Sequence, residues 1–338
     1  MHKKLINEYV CPYTRESMLL EEGVYEGINL QRGQFVSPSG LSFTIEDSIP
    51  VFLDIARLGE LEKKTQSEYD LMADEIYDNA VDWLFESFYE DENKIRESMI
   101  DLLNLHPKSC VLEVGCGTGR DSFRIGRRLG VGGVLFLQDF SRNMVIKAKK
   151  TIDFHHKEHR KKYETHYFIS DALYLPFPDD FFDAVFHFGG FNNFSKPEES
   201  LNEFARITKK GGKIVIGDES VPPWLERSTF GKIICANNSL FHHKVPLHAI
   251  PECARDVTVR WILGGCFYLI DFYIDQGTPP LNLDLPHKGR RGGTMRTRYY
   301  GRLEGVSIDA KKMAEKMAIK QGISLHDWLD RIIRKAAE

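Results

Sequence analysis

The run Val111-Leu112-Glu113-Val114-Gly115-Cys116-Gly117-Thr118-Gly119 constrains this chain more than any other stretch, because an apolar strand ends in three alternate glycines and feeds directly into a helical segment. Glycine allows a tight bend and a close backbone approach to a ligand, and the following helix offers free N–H groups at its start. Such a bend is a cradle for a small molecule. From residue 110 onward strand-like and helix-like runs alternate, which predicts a mostly parallel sheet with helices on both faces. Strands are expected over 110–114, 134–138, 165–169, 182–188 and 213–217. The β-rich runs 257–262 and 267–273, joined by Gly264-Gly265, read as a closing antiparallel hairpin, since a type I′ turn needs positive φ at both central positions.

In the dinucleotide fingerprint a third glycine lets the helix pack closely on the strand, and here that position is Arg120. A nicotinamide or flavin dinucleotide is therefore disfavoured. Glu113 lies within the first strand, and Asp139 ends the next apolar run, where it is placed to accept both hydroxyls of a ribose. On these residues the chain resembles the class I S-adenosylmethionine-dependent methyltransferases, especially their quinone-methyltransferase branch, over roughly residues 65 to 275. Glu113 to Gly119 resemble the first family motif and Asp139-Phe140-Ser141 with Met144 the second. Ser170-Asp171-Ala172 before Leu175-Pro176-Phe177, then Phe182-Asp183-Ala184-Val185, then Glu203 and Arg206 before Lys210-Gly211-Gly212, follow in family order.

The resemblance implies a Rossmann-like α/β fold of seven strands, mostly parallel and closed by the hairpin, with small N- and C-terminal appendages. It also implies S-adenosyl-L-methionine as cofactor. Its methionyl part would rest on Gly115, Gly117 and Gly119 beside Glu113, Cys116 and Thr118. The ribose falls to Asp139, and the adenine to the space between Phe140, with Ser141 and Met144, and Asp171-Ala172-Leu173. The loop His187-Phe188-Gly189-Gly190-Phe191-Asn192-Asn193 ends the fourth strand, where open α/β sheets keep their ligands, and His187, Phe188 and Gly189 are assigned to the cofactor. Metal ligands are not expected.

Four segments are expected: 1–55, 56–275, 276–302 and 303–338. The first contains short β-like runs and a layout, Cys11-Pro12-Tyr13-Thr14 with Ser37-Pro38-Ser39-Gly40, that resembles a zinc ribbon reduced to one thiol. One Cys with hydroxyls is a poor tetrahedral site, so a metal-free relic is expected. Residues 56–105 are acidic and helical in period, and Tyr69 and Tyr77 there are candidates for a lid over the substrate. Between Pro286 and Arg302, Lys288, Arg290, Arg291, Arg296, Arg298 and Arg302 occur with no carboxylate, which reads equally as an anion clamp or as a neutralising linker. Leu303–Asp309 as a strand, helix 310–321 ended by Gly322, and a second helix capped by Ser324 and carrying Trp328, Leu329, Ile332 and Ile333 on one face resemble a ribbon-helix-helix module. That resemblance implies a homodimer through 303–338. Glu304 beside Arg302 makes DNA contact the lesser expectation.

A net charge of −4 argues against a polyanion-coating protein. With no apolar run near the roughly 18 residues a span needs, no membrane segment is expected, and a cytoplasmic protein with six reduced cysteines is the expectation. A sulfonium makes its methyl electrophilic, so the protein has chiefly to place a nucleophile in line and exclude water. His187 is the candidate base, and a backbone-facing or cofactor-contacting role is equally open. Asp218 and Glu219 after the fifth strand are alternatives, and Asn192, His242 and His243 are candidates for substrate contact. An apolar insert with Trp224, Phe230, Leu240 and Phe241 favours a small, aromatic or lipophilic acceptor. Ribosomal-RNA base methylation, suggested by the ribbon-like start, and a cofactor-binding DNA-associated regulator are the alternatives.

Overall fold

The computed structural model describes residues 3–72, 75–159, 162–289, 292–299 and 306–338. The chain divides into two compact units, Met1–Thr278 and Pro279–Glu338.

The first unit begins with an antiparallel meander of β1 (Leu19–Glu26), β2 (Asn29–Val36), β3 (Ser42–Glu46) and β4 (Ile49–Phe52). Helices α1 (Glu60–Met72), α2 (Glu75–Ser87) and α3 (Glu92–Asp101) follow. Then come β5 (Cys110–Val114), α4 (Ser122–Arg128), β6 (Val134–Asp139), α5 (Arg142–His159), β7 (Glu164–Ser170) and β8 (Phe182–Phe188). The unit ends with α6 (Pro197–Ile207), β9 (Thr208–Glu219), α7 (Thr229–Asn237), β10 (Ala254–Ile262) and β11 (Phe267–Ile274).

The five predicted parallel strands and the hairpin lie in the order β7-β6-β5-β8-β9-β11-β10, with β11 antiparallel to both of its neighbours. The chain runs outward from β5 through β6 to β7 and then returns to β8 on the other side, so a switch point falls between β5 and β8. Ligand crevices form there, beyond the carboxyl ends of the strands. Alternate side chains sort the core into two layers. Val111, Leu135, Leu137, Phe186 and Val215 pack with Ile125 of α4 and with Ala148 and Ile152 of α5. Leu112, Val114, Phe136, Val185, Ile214 and Ile216 pack with Leu201 and Phe204 of α6 on the opposite face.

The expected count of seven strands is corrected to eleven. β4 runs parallel to β7, pairing Val51 with Ile169 and Phe52 with Ser170, so the N-terminal meander continues the sheet. An open β7 edge would leave a row of unpaired backbone groups, and the meander covers it. Aromatic contacts weld the join: Tyr9 lies 5.0 Å from Phe52 and 5.3 Å from Phe177 between ring centroids. Arg15 adds an ion pair to Glu203 at 2.8 Å. In the ribbon-like turns, Thr14 donates to Glu16 at 2.7 Å, and Glu16 also hydrogen-bonds Ser39.

Gly264 and Gly265 have φ of +63° and +78°, but the hairpin loop holds four residues, with Leu263 also at +49°. The predicted two-residue turn is thus widened, because Ile262 pairs with Phe267.

In the second unit, α8 (Met295–Tyr299) precedes α9 (Ile308–Lys320) and α10 (Leu325–Ala337), which pack together as a helical pair. Ser307 and Ser324 accept from Ala310 and Asp327 as N-caps, and Gly322 adopts φ +64°. The strand expected over Leu303–Asp309 is corrected at its end: Ile308 and Asp309 are helical because Ser307 caps there. Residues 303–305, with Arg302 and Glu304, lie outside the described residues, as do Arg290 and Arg291. In the basic segment, Arg296 pairs with Asp284 at 2.8 Å and Arg298 donates to the Gly292 carbonyl at 3.1 Å.

Candidate functional site

The carboxyl ends of β5, β6, β7 and β8 open into a cleft with an empty volume of about 850 Å³, its mouth included. β5 delivers Gly115, Gly117 and Gly119, all with positive φ. A Cβ on Gly115 would stand 3.1 Å from the His187 ring, and one on Gly119 would stand 3.1 Å from the Ala148 backbone of α5. Gly115 and Gly117 line the cleft, whereas Gly119 seats the loop on α5. Gln138 braces this bend: its side-chain oxygen accepts from Gly115 N–H at 3.1 Å, its carbonyl accepts from Cys116 N–H at 2.8 Å, and its amide donates to the Ser170 carbonyl.

Asp139 ends β6 in the cleft wall. One carboxylate oxygen accepts from Gly117 N–H at 2.9 Å and the other from Ser141 N–H at 2.9 Å. Each oxygen keeps a further lone pair for a ligand hydroxyl. Burial pushes the pKa of Asp139 up to about 6, against the pull of the Ser141, Gly117 and Phe140 amides. Phe140, Met144, Asp171, Ala172 and Leu173 complete an apolar slot beside it.

His187 sits in the opposite wall, 1% exposed. Its Nδ1 lies 2.7 Å from the Val114 carbonyl, a contact that requires a proton on Nδ1, so in the neutral ring Nε2 carries the lone pair. Nε2 is buried and has no hydrogen-bond partner among the described residues. Burial lowers the pKa of this imidazole, only partly offset by the Val114 hydrogen bond and Asp218, which keeps it neutral at physiological pH.

Thr65 and Tyr69 of α1 and Tyr77 of α2 form the side of the cleft contributed by the acidic helices. Asn193 donates to the Tyr69 hydroxyl at 3.2 Å, and burial pushes the Tyr77 hydroxyl up to about 12. Gln66 donates to the Phe140 carbonyl at 3.1 Å, and Ser141 donates to Asp70, so α1 is tied to the Asp139 loop. Arg120, at the position of the missing third glycine, pairs with Asp78 at 2.9 Å, Asp82 at 2.7 Å and Glu92 at 2.9 Å. Thr118 and Lys147 also hold Asp78. These carboxylates are therefore a fastening that ties α2 and α3 to the glycine loop. Leu71 of α1 and Trp83 of α2 lie on the outer side of their helices, 77% and 54% exposed.

Other expected residues lie outside the cleft lining. Glu113 is buried within the sheet, and its pKa is pushed well above the carboxylate range by burial and then by Asp121. Cys116, Thr118 and Ser141 shape the loops through backbone or Asp contacts. The Phe188 ring packs at 5.8 Å on Phe267. Asn192 donates its N–H to the Asp218 carboxylate and its side-chain amide to the Glu219 backbone carbonyl, so Asp218 braces the turn after β8, while burial and then Asp218 push the Glu219 carboxyl well above the carboxylate range. His242 lines a separate depression with Cys235 and Lys244, and the His243 carbonyl accepts from Ser220. Gly190 and Asn193 of the loop after β8 line the cleft, and Gln138, Phe194, Ser195 and Ser200 line it without having been foreseen.

The region Leu105–Asp284 matches the family model described as a methyltransferase domain, more than half of the chain. The chain belongs to the methyltransferase domain family. It is 34% identical over 130 residues to the demethylmenaquinone methyltransferase of Beutenbergia cavernae, covering 38% of this chain and 48% of that one. It is 31% identical over 128 residues to the ubiquinone/menaquinone biosynthesis C-methyltransferase UbiE of Roseobacter denitrificans, covering 38% and 49%. This methyltransferase-domain chain thus spans about half the length of the curated relatives it matches. A solved phosphoethanolamine N-methyltransferase 2 of Haemonchus contortus in complex with S-adenosyl-L-methionine superposes at TM-score 0.48 and 13% identity, over 65% of this chain and 61% of that one.

Proposed function

We propose that the chain is an S-adenosylmethionine-dependent methyltransferase that acts by in-line displacement on a small lipophilic acceptor. The observation that carries this reading is the pairing of a side-chain-free bend, Gly115 to Gly117, with the buried Asp139 carboxylate hydrogen-bonded to its Gly117 N–H at 2.9 Å. Those residues fit an adenosyl ligand: Asp139 retains lone pairs for two hydroxyls, the Phe140, Met144 and Ala172–Leu173 slot is apolar, and the glycine amides lie beside the carboxylate. The bound cofactor supplies a methyl group made electrophilic by its sulfonium. What the chain adds is position and dryness.

Tyr69, Tyr77, Asn193 and Phe194 narrow the acceptor side of the cleft, and the relatives named as quinone methyltransferases support an aromatic or lipophilic occupant. The Nε2 lone pair of His187 is the group that takes up a proton when the attacking atom carries one. The helical pair after residue 307 joins two copies into a homodimer. Replacing Asp139 by Ala is expected to weaken S-adenosylmethionine binding by roughly 1.5–3 kcal/mol, the worth of charge-assisted hydrogen bonds, in titration calorimetry. Unchanged affinity sinks the ribose assignment. Replacing His187 by Ala separates its roles: lost methyl-label transfer with retained affinity marks a base, and equal loss of both marks a cofactor contact.

A further inference from the structure

The apolar insert between β9 and β10 does not turn inward as a whole. Phe241 is buried, but Trp224 is 65%, Phe230 41% and Ile233 63% exposed, and none of the three lines the cleft. Trp224 packs edge-on against Trp261 of β10 at 5.5 Å between ring centroids. Phe230 and Ile233 stand three apart on α7, and a Cβ on Gly231 between them would lie 2.2 Å from the Leu225 carbonyl, so α7 presses on the turn that carries Trp224. The insert itself leaves β9 at Glu219, whose carbonyl holds the Asn192 side chain beside the cleft-lining Asn193.

Its charge is opposite to that of the chain. Residues 222–244 contain Arg227, Lys232 and Lys244 against Glu226, a balance of three positive charges less one negative, whereas the whole chain carries −4. Lys244 pairs with Glu226, which leaves Arg227 and Lys232 exposed with no ion-pair partner among the described residues. Among the described residues no helix is long and apolar enough to cross a membrane. A short amphipathic helix with an aromatic and aliphatic face, flanked by cations, has the composition of a segment that lies in a bilayer interface.

We propose that the Trp224–Asn237 segment is a docking surface for an anionic lipid bilayer, which sets the mouth of the cleft against the phase in which a lipophilic acceptor is dissolved. The proposal rests on the lipophilic-acceptor reading above. A second copy of the chain fits the apolar part of this face, but two unpaired cations meeting their own symmetry mates repel, so the lipid phosphate is the better partner.

Co-sedimentation of the full chain with phosphatidylcholine vesicles, with and without phosphatidylglycerol, tests this. Binding is expected only to the anionic vesicles, with a blue shift of tryptophan emission. The double variant Trp224→Ala, Phe230→Ala should lose it, while Lys232→Gln weakens it about fivefold. Both variants should keep the wild-type calorimetric affinity for S-adenosylmethionine. Failure of the wild-type chain to sediment with either vesicle overturns the proposal, as does unaltered binding by the double variant. Dispersal of a wild-type oligomer by the double variant, without vesicle binding, also overturns it and identifies an interface between copies. A chain that binds vesicles but not the cofactor refutes the methyltransferase reading and leaves the docking surface standing.

Discussion

Asp139 carries two jobs that pull its proton affinity in opposite directions. Burial favours the neutral acid, whereas the amides of Gly117 and Ser141 and the expected ribose hydroxyls favour the carboxylate. Its folded pKa of about 6 lies above the ordinary value of 3.8. The sign follows: the group favours the folded chain most below its ordinary value and loses that advantage as pH rises through about 6. With the proposed ribose role, the hydroxyls would bind the ionised form, so affinity should be constant above about pH 7 and fall as pH drops below about 6, approaching tenfold per unit. Calorimetry across that range checks it, and Asp139→Asn should flatten the profile. Asp139 was legible in the sequence because a carboxylate at the end of a second apolar run has few structural reasons to be there. Gln138 was not, since an amide at a strand end reads as ordinary polarity until its three hydrogen bonds are seen.

The fastening of α2 and α3 to the glycine loop belongs to the scale of elements. Arg120 reaches Asp78, Asp82 and Glu92 from the start of α4, while Arg96 of α3 returns to Asp121 at 2.5 Å. The Arg96–Asp121 pair is buried, but the Arg120 pairs are partly exposed, Arg120 at 20% and Asp82 at 55%, so those are screened by solvent and salt. Arg120→Ala is expected to lower stability by only about 1 kcal/mol. It should also speed proteolysis within residues 60–87 and weaken cofactor binding, with both effects imitated in the wild-type chain by raised ionic strength. Wild-type proteolysis rates in the variant would show that α2 needs no fastening. The strand at 182–188 could be read to the residue because it is apolar and bounded by turn signals. The acids of α2 and α3 could not be assigned partners, because the separation of 42 positions between Asp78 and Arg120 is closed only by the fold.

For the molecule as a whole, the meander and the sheet form one body around Tyr9, Phe35, Phe52, Phe168 and Phe177, all fully buried. Phe52→Ala should cost about 3–5 kcal/mol in denaturant unfolding, in a single transition that also abolishes cofactor binding. Two separate transitions would show that the first 55 residues fold alone. Ending the chain after Thr278, where the two compact units part, should leave calorimetric affinity for S-adenosylmethionine intact and remove self-association. The meander's turn-rich strands were visible in the sequence, but its union with the sheet was not, because a four-residue strand such as Ile49–Phe52 carries no mark of which edge it will join.

The pairing of Phe52 with Ser170 has a consequence for biosynthesis. While the ribosome is making this protein, β4 emerges roughly a hundred residues before the edge that completes it, and such distant closures are slow to form. The meander therefore waits, with its phenyl rings uncovered, until translation has passed Ser170, and a chaperone that shields exposed aromatics would find its client in that interval.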